Sequence, residues 1–543
     1  MNLYFKHSRM AVMAFGFIAL VSAIATTRAA ERWVYAPSNY QVEAEADRII
    51  ALMKRAKACG YTHFLLTDSK FSRVPTLPKK YFANVARVKA AAQETGIQLV
   101  PGLFGVGYSN DLLSNDPNLA EGLPVKDALF VVKDFVASHV PEPEIAFKGA
   151  SLASPKGWGF VDDNLVSDDG ALRSDATDRN ARFSQKMTVQ PFRQYHISVW
   201  LKTKDFAGGR AEIKAMAGNR QLNYTYLHAK PEQEWTQQHI TFNSLDNKEV
   251  GIYFGVWGGH KGSLWWRTPA IEECGLVNLL RRPGAPFVVR TEDGRTLKEG
   301  VDYEPVADPK LGTVPYQGEY EPWHKPPNIH VKDIADGVRL RVSYYHPHIV
   351  YEGQVCACVS EPAFDALLKR QASDVHQVWN AASYMMGHDE WRVMNWCEAC
   401  QQRHLTPGQI VAESAKACVD ILHATAPNAR TFVWSDMFDP VHNAKPNYYL
   451  VNGDITGSWD GLSKDVILVN WNSGEAGKSL PFFAERGHRQ LVAGYYDAPV
   501  EKTRQWLDKA KSVHGIIGVM YTTWRNNYDE LEHFSKMLDE AGY

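Results

Sequence analysis

The chain has 543 residues, length for roughly three to four domain-sized units, and its 45% hydrophobic content excludes wholesale disorder. Lys and Arg number 59 against 61 Asp and Glu, a formal charge of −2, so no surplus of positive charge is present to track a phosphate backbone and nucleic acid is excluded as a partner. The surplus is aromatic, with 16 Trp, 24 Tyr and 23 Phe, a composition that suits sugar faces as well as core packing.

Residues 1–30 read as a secretory signal. Lys6 and Arg9 form a basic start, an apolar run follows from Met10 to Ala25, and small residues offer cleavage after Ala25 or Ala29. The run is shorter than the roughly 20 residues of a membrane span. The expectation is a periplasmic or secreted protein with no membrane span in the mature chain.

From residue 31 to 139 the pattern is the first part of a β/α barrel. Arg32–Ser38 is a predicted strand. Val42–Cys59 is a helix with Ile49, Ile50, Met53 and Ala56 on one face, stopped at Gly60. Thr62–Thr67 is a buried-type strand ending in Asp68, Tyr81–Thr95 a second helix stopped at Gly96, and Ile97–Phe104 a third strand. Alternation at this spacing implies parallel strands with right-handed crossovers.

The helix signal is lost over 140–275. Short alternating runs replace it, Gln194–Lys202, Arg210–Ala217, Trp235–Phe242 and Val250–Val256, with glycine-rich turns between them. This predicts an inserted antiparallel β-sandwich. Residues 276–338 read as a Pro/Gly-rich connector with at most a few strands, such as Phe287–Arg290. Alternation resumes over 339–543 with predicted strands at Arg339–Tyr345, Ala382–Gly387, Arg430–Trp434, Val466–Asn470, Arg489–Gly494 and Ile516–Tyr521. That is one strand more than a closed barrel uses, and Arg339–Tyr345 is assigned to the insertion. The predicted fold class is α/β, a (β/α)8 TIM barrel interrupted by an all-β sandwich.

Polar and aromatic residues collect at the C-terminal ends of these strands: Asp68, His388, Asp389, Glu390, Trp434, Asp436, Trp471, Tyr495, Asp497 and Trp524. That rim is the active-site face of such a barrel. Aromatic rings can cover apolar sugar faces while carboxylates grip hydroxyls, so the expected partner is an oligo- or polysaccharide. Asp389 and Glu390 are the catalytic candidates, because glycosidic cleavage needs an acid for the leaving oxygen and stabilisation of an oxocarbenium-like carbon. No cofactor is called for. His346-Pro347-His348 reads as a solvated loop pair.

Tyr384-Met385-Met386-Gly387-His388-Asp389-Glu390 resembles the strand-4 segment of family 20 glycoside hydrolases, the β-N-acetylhexosaminidases. Phe432-Val433-Trp434-Ser435-Asp436-Met437-Phe438-Asp439 and Tyr495-Tyr496-Asp497 resemble the ends of that family's strands 5 and 7, and Trp471 and Trp524 follow in order. The resemblance implies Glu390 as general acid/base and Asp389 orienting a 2-acetamido group whose oxygen attacks the anomeric carbon. It further implies Tyr495 bonding that oxygen and Trp434, Trp471 and Trp524 walling the pocket. The chain departs from the family at His388, where a second glycine is usual, at the first strand end, which lacks an arginine, and at Asn526, where a glutamate is usual. Those changes remove the family's grips on the non-reducing sugar. Trp200-Leu201-Lys202-Thr203, Gly255-Val256-Trp257-Gly258-Gly259 and Leu264-Trp265-Trp266 are similar to segments of sandwich carbohydrate-binding modules.

Two alternatives stand beside the hexosaminidase-like reading. In one, Glu390 works with Asp436 or Asp497 on a sugar without an acetamido group. In the other, the chain binds glycan without cleaving it. Separately, Cys356-Ala-Cys358 and Cys397-Glu-Ala-Cys400 offer either four thiolates for a structural tetrahedral zinc or two disulfides.

Overall fold

The computed structural model describes residues 30–311, 320–351 and 353–543. The signal expected over 1–30 therefore lies outside the described residues except for Ala30. Eight parallel strands close into a barrel: β1 (Glu31–Pro37), β2 (His63–Thr67), β3 (Gln98–Leu103), β4 (Ser383–Met386), β5 (Arg430–Trp434), β6 (Ile467–Asn470), β7 (Gln490–Tyr495) and β8 (Ile516–Thr522). β1 pairs with β8 through Glu31–Gly518 to Val34–Tyr521, which removes both sheet edges.

The barrel interior is filled by side chains two residues apart on each strand, among them Trp33, Leu65, Val100, Met385, Phe432, Val469, Leu491 and Met520. Each such burial is worth about 1.5–3 kcal/mol. The opposite faces of the strands carry an outer layer of helices, including Glu43–Ala58, Lys79–Thr95, Pro362–Trp379, Pro407–Thr425 and Leu531–Ala541. Local signals set their ends. Thr406 caps Pro407–Thr425 by accepting from Gln409 N at 3.2 Å while the Gln409 side chain accepts from Thr406 N at 2.9 Å. Gly96 ends Lys79–Thr95 with a left-handed φ of 69°. Between β5 and β6 only the 3₁₀ turns Asp436–Phe438 and Ser458–Gly461 stand where a helix would complete the outer layer.

Among the described residues, the chain between β3 and β4 forms three antiparallel sheets and one two-residue parallel pairing, Tyr224–Thr225 with Val350–Tyr351. Two are five-stranded and bury Phe183, Phe254, Trp158 and Trp266 between them, with Phe183 stacked on Phe254 at 5.0 Å. The third has six strands in the order Thr296–Leu297, Val288–Thr291, Arg339–His346, Leu123–Lys133, Val136–His139, Ile329–His330, and a separate apolar core. This corrects the sequence reading at two boundaries. Leu123–Lys133 pairs with Arg339–His346 rather than with the barrel, and the expected connector contributes Val288–Thr291, Thr296–Leu297 and Ile329–His330 to that sheet, the first of them close to the strand expected at Phe287–Arg290. Arg339–His346 shows why: every second residue is buried, the pattern of a strand with one covered face, whereas the barrel strand Ile467–Asn470 is buried throughout. Among the described residues no helix is long and apolar enough to cross a membrane.

Candidate active site

Strand alternation, and its interruption, decides which side chains reach the barrel mouth. Met385 faces the barrel interior, and the two-residue period carries that face through Gly387 to Asp389, which lines the mouth cavity. His388 points the other way. It is fully buried against the helix layer, with Nε2 3.4 Å from Ser414 Oγ, and burial pushes its imidazole down to about 4. His388 is therefore no sugar contact. Glu390 would also face outward, but its φ of 49° is left-handed and the turn returns its carboxylate to the cavity beside Asp389. That conformation costs a non-glycine residue about 1–2 kcal/mol. Its backbone is pinned on both sides: the N–H donates to Asp436 Oδ2 at 2.8 Å, and the carbonyl accepts from Gln354 Nε2 at 3.0 Å.

The loop after β3 supplies a wall that sequence reasoning missed. A Cβ on Gly107 would lie 2.0 Å from the Asp389 carbonyl oxygen, so only glycine lets this loop press against the Asp389–Glu390 turn. The close approach delivers Tyr108, whose hydroxyl donates to Glu390 Oε2. On the other side Arg392 Nη2 lies 2.5 Å from Glu390 Oε1. Both Glu390 oxygens are thus engaged. The Arg392 guanidinium also donates to Gln354 and sits 4.7 and 5.0 Å from the ring centres of Tyr351 and Tyr449. Tyr351 and Tyr449 join hydroxyl to hydroxyl at 2.7 Å, and the sandwich residues Tyr224 and Tyr226 pack against them at 4.6 and 5.1 Å.

Asp389 is in a different setting. Its carboxyl accepts from its own backbone N–H, and burial, then the charges of Asp436 and Glu390, push it up to about 8. Asp436 is completely buried and accepts from Glu390 N, from Asn443 Nδ2 at 2.8 Å and from Trp471 Nε1 at 3.1 Å. It anchors the Glu390 turn and the Trp471 indole from behind and does not line the cavity. Its carboxyl is raised as well, chiefly by burial.

The cavity is about 890 Å³ and is lined by Tyr35, Trp434, Trp471 and Trp524 together with Asp68, Asp111, Asp389 and Glu390. That volume falls in the range of small-molecule binding pockets. Tyr35 meets Trp434 and Trp524 edge-on at 6.3 and 5.4 Å, and Trp524 stands out at the rim with 55% of its surface exposed. Asp68 accepts from Tyr40 N and Lys70 N, which ties the end of β2 to the following turn. Asp111, unrecognised in the sequence, is pushed up to about 7 by burial.

Two further rim residues sit elsewhere than expected. Tyr495 would face inward by alternation from Leu491 and Ala493, but Tyr495, Tyr496 and Asp497 are all left-handed, with φ of 82°, 52° and 57°. The twist turns Tyr495 onto Tyr521 at 4.2 Å and toward Phe534 of the outer helix layer, and it is Tyr496 that packs with the interior residues and approaches Trp524 at 5.7 Å. Asp497 accepts from Thr523 Oγ1 at 2.6 Å and Trp524 N at 2.9 Å, so it holds the Trp524 loop rather than lining the cavity. His346 and His348 are buried, not solvated.

No protein-family model matches this chain, and no curated protein matches it. Among solved structures it is similar to a rhamnosidase from Novosphingobium sp. PP1Y, at 10% identity and a TM-score of 0.35, over 95% of this chain and 59% of that one. The GH20 exo-β-N-acetylglucosaminidase of Vibrio harveyi, an inactive mutant, matches at 8% identity and a TM-score of 0.19, over 68% and 93% of the two chains. A carbohydrate-binding module of a Cellvibrio mixtus lichenase, in complex with cellotriose, matches at 15% identity and a TM-score of 0.17, over 24% of this chain and 95% of that one.

Proposed function

We propose that the chain is a glycoside hydrolase acting on an oligo- or polysaccharide at the barrel mouth. The observation that carries this reading is the pairing, in one aromatic-walled cavity, of two adjacent carboxyl groups in unlike settings. Asp389 has its proton favoured by burial and by its neighbours' charges. Glu390 has both oxygens engaged by Arg392 and Tyr108. Glycosidic cleavage requires such a division of labour. Asp389 hands its proton to the glycosidic oxygen as the bond to the anomeric carbon breaks. Glu390 faces the positive charge that develops there, and serves as nucleophile or as the base that takes a proton from water. Trp471, held by Asp436, and Trp434 present ring faces to the sugar.

The hexosaminidase-like scheme is a second reading, favoured by the adjacency of the two acids. It reverses the roles: Glu390 leaves Arg392 to become the acid, and Asp389 ionises against an acetamido N–H. A panel of aryl glycosides with Asp389→Asn and Glu390→Gln tests both. If Asp389 is the acid, Asp389→Asn loses about 10²–10⁴-fold in kcat on poor leaving groups but far less on acidic phenols, while Glu390→Gln loses on both. The opposite pattern, with inhibition by a thiazoline mimic of the cyclised acetamido group, supports the second reading. A wild-type protein that hydrolyses no glycoside overturns both.

A further inference from the structure

The cysteines near the barrel do not gather as the sequence spacing suggests. Cys356 stands apart from the other three, and Glu121 takes its place: one ligand atom each of Glu121, Cys358, Cys397 and Cys400 lies within 4.8 Å of the others. The backbone brings Glu121 there. Its N–H donates to Cys356 O at 2.8 Å and Cys358 N donates to Leu119 O at 2.9 Å, an antiparallel bridge between segments far apart in sequence.

We infer that Glu121, Cys358, Cys397 and Cys400 form a structural zinc site. Four edges of the cluster lie close to the lengths a single tetrahedral zinc requires. With Zn–S near 2.3 Å and Zn–O near 2.0 Å, tetrahedral S···S edges are about 3.8 Å and S···O edges about 3.5 Å. Cys358 Sγ lies 3.4 Å from Cys397 Sγ and 3.7 Å from Cys400 Sγ. Glu121 Oε2 lies 3.6 and 3.4 Å from Cys397 and Cys400. A disulfide would bring one pair to about 2.05 Å and leave the third thiol out.

The surrounding groups fit the same ion. Glu121 Oε1 is already used, accepting from Trp396 N and Cys397 N at 2.8 and 2.9 Å, so the carboxylate is fixed with Oε2 presented to the sulfurs. Ser360 Oγ is 3.2 Å from Cys400 Sγ, an outer partner of the kind that orients metal thiolates. Three thiolates with a carboxylate favour zinc over softer copper(I) or oxygen-seeking magnesium and calcium. All four positions are filled from the chain, which marks a structural rather than a catalytic ion. On binding, three thiols release their protons to solvent and the ion ties three segments together. These are the chain leading into the six-stranded sheet, the chain leaving the insertion, and the loop that follows Arg392.

The test uses the full chain purified under reducing conditions. Metal analysis by mass spectrometry is expected to find one equivalent of zinc, and exchange with cobalt(II) is expected to give thiolate-to-cobalt charge-transfer absorption. Glu121→Gln should weaken binding by about 10- to 100-fold, and Cys397→Ser should abolish the cobalt band, while Cys356→Ser retains a full equivalent. Because the wild-type cobalt spectrum is read without any substitution, a variant that fails to fold does not decide the matter. A wild-type chain without zinc that gives no charge-transfer band overturns the inference, as does a peptide map of chain isolated without reductant and alkylated at once that shows Cys358 joined to Cys397 or Cys400 by a disulfide.

Discussion

Asp389→Asn is expected to make the protein more stable and less active, by an amount that depends on pH. In the unfolded chain this carboxyl titrates near 3.8, and in the fold it is held up to about 8. Between those values the folded state keeps a proton that the unfolded state releases. Stability from this group is therefore fully present below about pH 4 and is lost as pH rises toward 8, at up to about 1.4 kcal/mol per pH unit. The carboxyl opens on a solvent-accessible cavity and shares its titration with Asp436 and Glu390, so screening reduces the total to about 2 kcal/mol at pH 8. Asparagine carries no such penalty. Calorimetry at pH 5 and pH 8 reads the barrel transition directly, and the variant should melt about 3–5 °C above wild type at pH 8, with a gap that closes toward pH 4. A variant that melts at or below wild type at pH 8, or a gap that is the same at both pH values, refutes the reasoning.

Other substitutions separate contact from support. Trp524→Ala should raise KM about 10-fold or more while changing Tm little, because the ring is largely exposed at the rim. Tyr495→Phe should leave kcat and KM within about 2-fold, since the ring packs on Tyr521 outside the cavity; a large KM change would contradict the outward turn of this residue. Arg392→Gln removes a buried partner of Glu390, with about 1–3 kcal/mol lost in denaturant unfolding and a fall in kcat larger than any rise in KM. Trp266→Ala empties the middle of the sandwich and should destabilise it by about 3–5 kcal/mol, visible as an early melting transition.

The barrel strands were legible because each buried run ends in a polar or aromatic residue: Trp434 closes β5 and Asp389–Glu390 follows β4, where the sequence pattern put them. Two-residue alternation even indicates that Asp389 faces in and His388 out. Alternation fails where the backbone turns left-handed, and nothing in Tyr495-Tyr496-Asp497 announces three such residues in a row, since none is glycine. Tyr108 and Arg392 were illegible for another reason. Tyr108 reaches Glu390 from a loop 282 positions away, and its only local cue is the pair of glycines, Gly105 and Gly107, that let the loop lie flat. Glu121 is likewise invisible beside the cysteines because it meets them only through folding.

The tyrosines gripping Arg392 have a consequence for anyone dissecting this chain. Tyr351 and Tyr449 are themselves braced by Tyr224 and Tyr226 of the inserted sandwich, and Arg220 of the same unit donates to the carbonyls of Tyr449 and Val451. The sandwich is a buttress as much as an appendage. Trimming it away to obtain a minimal barrel would unseat a guanidinium that no barrel strand supports, and any loss of turnover after such a deletion would say nothing about whether the sandwich ever held a sugar.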